Sequence, residues 1–224
     1  MFKVTHAFVI VFLAALSGCA VTRSEIQVSN PGASQPMTSS TAARTVLIRS
    51  ITDERVFEDD SPDASVPSLG SGGVNKASAE VKARAIGRKR NGYGIAMGDV
   101  LLKEGQTVVG LTRDCVTTGL EQAGYRVASD PSEAGPSPLV LDVRIRKFWA
   151  WLQPGFWAVT VHAVIATELQ FDGEQPRVID VPTQQDHQFV TDGVWMQTVT
   201  QALKDYETQV ANVTTVDDGR QATR

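Results

Sequence analysis

The sequence predicts an α+β domain: a mostly antiparallel sheet with two amphipathic helices packed on one face. Three observations carry this. Two long runs on either side of Gln153-Pro154-Gly155 alternate apolar and polar residues, the pattern of a hairpin buried on one side. Two further stretches repeat apolar residues at helical spacing. The other apolar segments are short, β-branched and set between polar turns.

The chain opens with Lys3 and a brief apolar run, Ala7 to Ala15, closed by Leu16-Ser17-Gly18-Cys19. The run is too short for a membrane span, which needs ~20 residues. A basic start, a short apolar segment and small residues at its exit make a secretory signal. A cysteine directly after Leu-Ser-Gly makes it a bacterial lipoprotein signal, occupying residues 1–18. Cys19 is then the lipidation site, carrying diacylglycerol on sulfur and an acyl chain on its new amine. Several acyl chains anchor stably where one holds only marginally. Ala20 stands where lipoproteins kept in the inner membrane carry Asp, so the expected location is the outer membrane, facing the periplasm. Residues 19–44 are polar and rich in Ser, Thr, Pro and Gly, which predicts a flexible tether with a reach of roughly 25–30 Å.

A single domain is expected over 45–212. Thr45 to Ile51 reads as the first strand, running into Thr52-Asp53-Glu54-Arg55. The stretch through Pro62, Pro67 and Ser68-Leu69-Gly70-Ser71-Gly72-Gly73 lacks the ending of a phosphate-binding loop and reads as a mobile surface insertion. Ile86 to Met97 reads as a hairpin or irregular ribbon. Lys82, Arg84, Arg88, Lys89 and Arg90 crowd beside it as a solvated face, or as a contact for lipid headgroups or an acidic partner. A helix is predicted from about Thr107 to Ala123, with Leu111, Cys115, Val116 and Leu120 on its inner side and Gly124 closing it.

In the hairpin, Leu139, Leu141, Val143 and Ile145 point one way, and Asp142, Arg144 and Arg146 the other. In the second arm Val159, Val161, Ala163, Ile165, Leu169 and Phe171 oppose Thr160, His162, Glu168 and Gln170. A third strand over 177–190 is polar enough for a sheet edge. The last helix begins near Thr191 or Asp192 and buries Trp195, Val199, Ala202, Leu203, Tyr206 and Val210. Residues 213–224 are polar and expected to fray.

Composition narrows the function classes. A hydrophobic fraction of 42% suits a soluble core, and a net charge of −4 with a pI near 5.4 implies no nucleic-acid partner. With Cys19 lipidated, Cys115 has no partner for an intramolecular disulfide and reads as a small buried hydrophobe. His162 and His187 lack metal-ligand spacing, and no nucleophile elbow or preorganised pair of carboxylates is present. No catalytic residue, metal site or cofactor is therefore expected beyond the lipid on Cys19, and the chain does not read as an enzyme.

The best candidate for a functional surface is the hairpin tip, with Trp149, Trp151, Phe156 and Trp157 beside Arg144 and Arg146. Tryptophan joins a large apolar body to one N–H, which suits interfaces. Alternation places Trp149, Trp151 and Trp157 broadly on the core side, so the cluster is either a docking patch or a plug for the end of the core.

The lipoprotein signal, the Asp53-Glu54-Arg55 strand end, the helix closing Leu120-Glu121-Gln122-Ala123-Gly124-Tyr125-Arg126-Val127, the meander and the terminal helix together resemble YajG-type lipoproteins. The resemblance implies a periplasm-facing outer-membrane lipoprotein and supplies no catalytic residues. Two roles follow as expectations. One is a docking or assembly accessory that binds an envelope protein through the aromatic hairpin and the open sheet edge. The other is a lipid-binding or lipid-transport accessory, with acyl chains near Trp149 and Trp157 and headgroups on Arg144 and Arg146. In both, the membrane is a partner through the anchor.

Overall fold

The computed structural model describes residues 23–31, 44–59, 61–70 and 72–221. The signal segment, Cys19 and residues 32–43 lie outside them. In chain order the elements are β1 (Ser24–Ile26), β2 (Thr45–Asp53), α1 (Ala79–Arg84), β3 (Ala85–Arg90), β4 (Ala96–Leu102), α2 (Val108–Gln122), β5 (Arg126–Ala128), β6 (Leu139–Pro154), β7 (Val159–Phe171), β8 (Arg177–His187) and α3 (Asp192–Gln221).

All eight strands form one sheet, ordered β1-β4-β3-β6-β2-β5, with β7 on β6 and β8 on β7. The long antiparallel meander β6-β7-β8 carries most of the pairing, so the sheet is mostly antiparallel, as the alternation predicts. Strand β6 is long enough to serve two neighbours in tandem. Its first half pairs in parallel with β2, and further along Ala150 pairs in parallel with Gly87 of β3. Strand β3 thus takes up the edge of β6 that β2 leaves, and residues 54–84 are an excursion between them.

Helices α2 and α3 pack on each other and over one face of the sheet. Thr107 caps α2 through its side chain, which accepts from the Gly110 N–H, and Leu111, Cys115, Val116 and Leu120 face inward as predicted. The whole predicted stripe of α3, from Trp195 to Val210, enters the same core, with Val143, Ile145, Phe148 and Ile165 of the meander opposite. Burying one such side chain contributes about 1.5–3 kcal/mol. The helix extends to Gln221, with Thr214 buried and Val213 packed on the core, so the start of the tail expected to fray is helical and packed, and residues 222–224 of it lie outside the described residues. Val210 lies against Gly119 of α2, and one turn further on the Thr214 carbonyl accepts from the Tyr125 hydroxyl, so the contacts continue past the predicted stripe.

Three further expectations are corrected. Residues 24–26, read as tether, form β1 against β4, and Ile26 and Val28 are buried. Polar ties hold this strand: Arg23 to Asp99 at 3.1 Å, Ser24 to Asp192 at 2.8 Å, and Glu25 to Arg84. The Gly-rich stretch is no loose insertion, because it seats Leu69 in a second, smaller core with Ala85, Leu101 and Trp149 on the sheet face away from the helices. Within the basic ribbon, Arg84 and Arg88 are buried. Arg84 donates to the Leu102 carbonyl and to Glu25 and Glu80, so it is neither a solvated nor a lipid-facing group.

Candidate functional site: the open sheet face and the aromatic end

The excursion from β2 to β3 is held by Arg55. Its side chain is fully buried, and its guanidinium donates to Asp53 Oδ1 at 2.8 Å and Oδ2 at 2.7 Å. It also donates to the carbonyls of Lys82 at 2.7 Å, Ala85 at 2.6 Å and Phe148 at 3.2 Å. The planar fork offers five N–H groups, and all five are used. Where β2 leaves β6 and β3 has not yet joined, backbone carbonyls lack a strand partner, and Arg55 supplies one. Arg55 also lies over the Phe57 ring, 5.1 Å from its centroid, and Phe57 meets Trp149 edge to face at 6.2 Å. The excursion is thereby fastened across the second core.

A bulge between Ile145 and Lys147 separates the predicted site residues from one another. One extra residue reverses which face each later side chain takes. Phe148 and Ala150 therefore join the helix-side core, whereas Trp149 and Trp151 turn to the other face. Trp149 is only 1% exposed, and its indole N–H donates to the Ala64 carbonyl at 3.1 Å. It is core, though on the face opposite to that expected.

Trp151 sits beyond the covering loop, half-buried on the open face of β6-β7-β8. Its ring stacks on His162 of β7, 4.9 Å away and 9° from parallel, and the Lys147 ammonium lies 5.6 Å from its centroid. Burial pushes the His162 imidazole below its ordinary value, against a weaker opposing pull from Asp186. Val178, Asp180, Pro182, Gln184 and Asp186 of β8 continue the face as an exposed row. Strand β8 is the edge strand the polarity predicts. Pro182 in its middle has no N–H to offer an added strand, so the edge is blunted and the face is the accessible surface.

Arg144 and Arg146 belong elsewhere. Arg146 donates to Glu168 at 2.9 and 3.0 Å and to Glu54, and Arg144 lies 3.6 Å from Glu168. The Arg146 hydrogen bond holds the Glu168 carboxyl below its usual range. From Arg146 to the end of β6 is eight residues, roughly 25 Å along the strand. The structure does not bring these arginines to the tip tryptophans.

Phe156 and Trp157 occupy the β6-β7 turn and are 89% and 87% exposed, their rings edge to face at 4.8 Å. Tyr93 and Ile95 in the β3-β4 turn and Phe189 after β8 are also exposed. Strand directions put all of them at one end. Strands β3 and β8 run the same way as β6, so the turns that follow these three strands leave the sheet together. The sequence reading missed Tyr93, Ile95 and Phe189 because they lie far apart in the chain and converge only through the parallel pairing of β3 with β6.

Among the described residues no group of three or more His, Cys, Asp or Glu is placed to hold a metal ion. His162 and His187 stand on neighbouring strands, opposite Gln184 and Val159 respectively, and do not face each other. No described helix is long and apolar enough to cross a membrane.

No protein-family model matches the chain, and no curated protein sequence matches it. Among solved structures, a Xanthomonas campestris protein assigned to the DUF330 family is similar over 91% of this chain and 98% of its own, with a TM-score of 0.47 and 11% identity. An uncharacterized protein covers 86% of this chain and 96% of its own, with a TM-score of 0.39 and 14% identity. A minor lipoprotein from Acinetobacter baumannii covers 46% of this chain and 82% of its own, with a TM-score of 0.32 and 8% identity. These neighbours thus include a bacterial lipoprotein, and none of them confirms the YajG-type resemblance. Likeness this distant carries no argument about what the chain binds.

Proposed function

We propose that the protein is a lipid-anchored envelope lipoprotein, held through Cys19 at the periplasmic face of the outer membrane, that docks an envelope protein and performs no chemistry of its own. The anchor rests on the short apolar run and the Leu16-Ser17-Gly18-Cys19 exit. The docking role rests on one observation, the open face of β6-β7-β8 centred on Trp151. A half-buried tryptophan fixed between His162 and Lys147 is a rigid aromatic anchor, and a partner covering it freezes little side-chain entropy. Gln184 and Pro182 beside it supply a flat, partly polar margin.

A lipid held in an internal cleft has less behind it. Trp149 is buried in the second core and Trp157 stands exposed at the end, so they share no cleft. Arg144 and Arg146 are committed to carboxylates.

A photoreactive residue at exposed Gln184, in the full lipoprotein in its native envelope, tests the reading. A discrete protein adduct that is lost on Trp151→Ala is the expected result. Absence of any protein adduct, with the protein folded and anchored, would remove the docking role.

A further inference from the structure

We infer that the end of the sheet bearing Phe156, Trp157, Tyr93, Ile95 and Phe189 is seated in the interface of the bilayer that holds the lipid anchor, so that the domain stands on the membrane by this end. The inference rests on the anchor at Cys19 proposed above, and adds where the domain meets the membrane.

Three independent features converge. The first is composition. The turns at this end, residues 91–95, 154–158 and 188–191, contain no Asp, Glu, Lys or Arg, in a chain that is 21% charged. The turns on the other side of the strands do: Asp172 and Glu174 follow β7 at the far end of β6, and Lys103 and Glu104 follow β4 about midway along it. Three uncharged, aromatic-tipped turns, with Arg90 and Asp192 at their margins, suit an interface, since Trp and Tyr rings favour headgroup depth and the marginal charges can meet headgroups. The second is exposure. Tyr93, Phe156, Trp157 and Phe189 are between 80% and 92% exposed, with no covering layer, on a domain whose other aromatics are largely packed. The third is the path of the chain. Strand β1 runs parallel to β4, and β4 runs away from this end, so the chain enters β1 from the aromatic side. Ser24 pairs with Val100, Val100 with Gly87, and Gly87 with Ala150. The last rung of the β6-β7 ladder, Pro154 with Val159, lies four residues beyond Ala150, or ~13 Å. Cys19 precedes Ser24 by five residues, a span of at most about 17 Å. The leash is therefore just long enough to bring the lipid level with the aromatic turns, and too short to hold the domain off the bilayer.

The test uses the full lipoprotein in vesicles of phosphatidylethanolamine and phosphatidylglycerol containing phosphatidylcholine brominated near the headgroup end of its acyl chains. Tryptophan emission is compared between the wild type and Trp157→Phe. Trp149 and Trp195 are buried, and half-buried Trp151 lies back from the end of β6; the three are common to both proteins, so the difference between them reads Trp157 alone. Quenching in the wild type that is lost in Trp157→Phe is the expected result. Equal quenching in the two proteins would overturn the seating and leave the end to a protein occupant. Thiol titration of the same preparation in denaturant separates this from failure of the anchor. One thiol per chain, Cys115, accompanies a lipidated Cys19, whereas two would overturn the anchor and the seating together. Because Trp157 lies outside both cores, its substitution leaves the fold intact.

Discussion

Arg55 shows how one side chain can decide whether a sheet stays whole. Its buried guanidinium joins Asp53 to three carbonyls at the point where β2 and β3 change places on β6. Arg55→Ala leaves those carbonyls and the carboxylate without a partner, and removing one member of such a buried pair costs about 3–5 kcal/mol. Urea denaturation is expected to show that loss as a lower midpoint. Arg55→Lys should restore little of it, because one ammonium with three donors cannot span the five acceptor positions. His162 makes a second prediction. Burial lowers the imidazole's affinity for a proton, so as pH falls below its ordinary value of 6.5 the unfolded chain takes up a proton before the folded one does. Stability therefore declines with pH from that value down through the lowered native one. His162→Phe keeps a ring against Trp151 and removes the titration, and the drop in Tm between about pH 7 and about pH 5 should be smaller in that variant.

Elements were legible where their periodicity was long and undisturbed. The meander and the inner stripes of α2 and α3 stand in the sequence as they stand in the fold, because period-2 and period-3.6 patterns survive averaging over many residues. The failures have local causes. The bulge after Ile145 adds a single residue without any mark in composition, yet it turned Trp149 and Trp151 to the far face. Strand β1 is three residues long in a polar stretch, and its partner β4 lies over seventy positions away, so only the alternation of Ile26 and Val28 hinted at it. Leu69 was hidden among serines and glycines. The contact between α2 and α3 carries its own prediction. A Cβ at Gly119 would stand 2.8 Å from the Glu207 carbonyl oxygen and from Val210. Gly119→Ala gains about 1 kcal/mol of helix propensity, but the backbone it meets cannot yield, and overpacking costs about 1–3 kcal/mol. A net loss is expected in thermal denaturation, against the usual effect of alanine in a helix.

Over the whole molecule, the sheet has a core under two helices, a smaller core under the 54–84 excursion, an open face at Trp151 and aromatic, uncharged turns at the Trp157 end. On the proposed seating, a strand the length of β6 lifts the charged turn at Asp172 roughly 50 Å from the bilayer and the one at Lys103 about half as far, and the open face looks sideways along the membrane. The geometry makes leash length a variable. About a dozen added Gly and Ser residues between Cys19 and Arg23 would extend the r.m.s. reach by roughly 20 Å and lower the effective concentration of the end at the bilayer. Bromine quenching of Trp157 should then weaken while the Gln184 adduct persists.

Strand β1 also determines how the molecule bears force. The chain enters it from the aromatic end and runs along β4, so tension applied from the N-terminal side of Arg23 acts along the strand axis. It loads the bonds of Ser24 to Ile26 in shear, together, instead of peeling them one at a time. Arg23 to Asp99, Ser24 to Asp192 and Glu25 to Arg84 share that load. With the proposed lipid on Cys19, whatever draws that lipid from its bilayer pulls on the sheet itself.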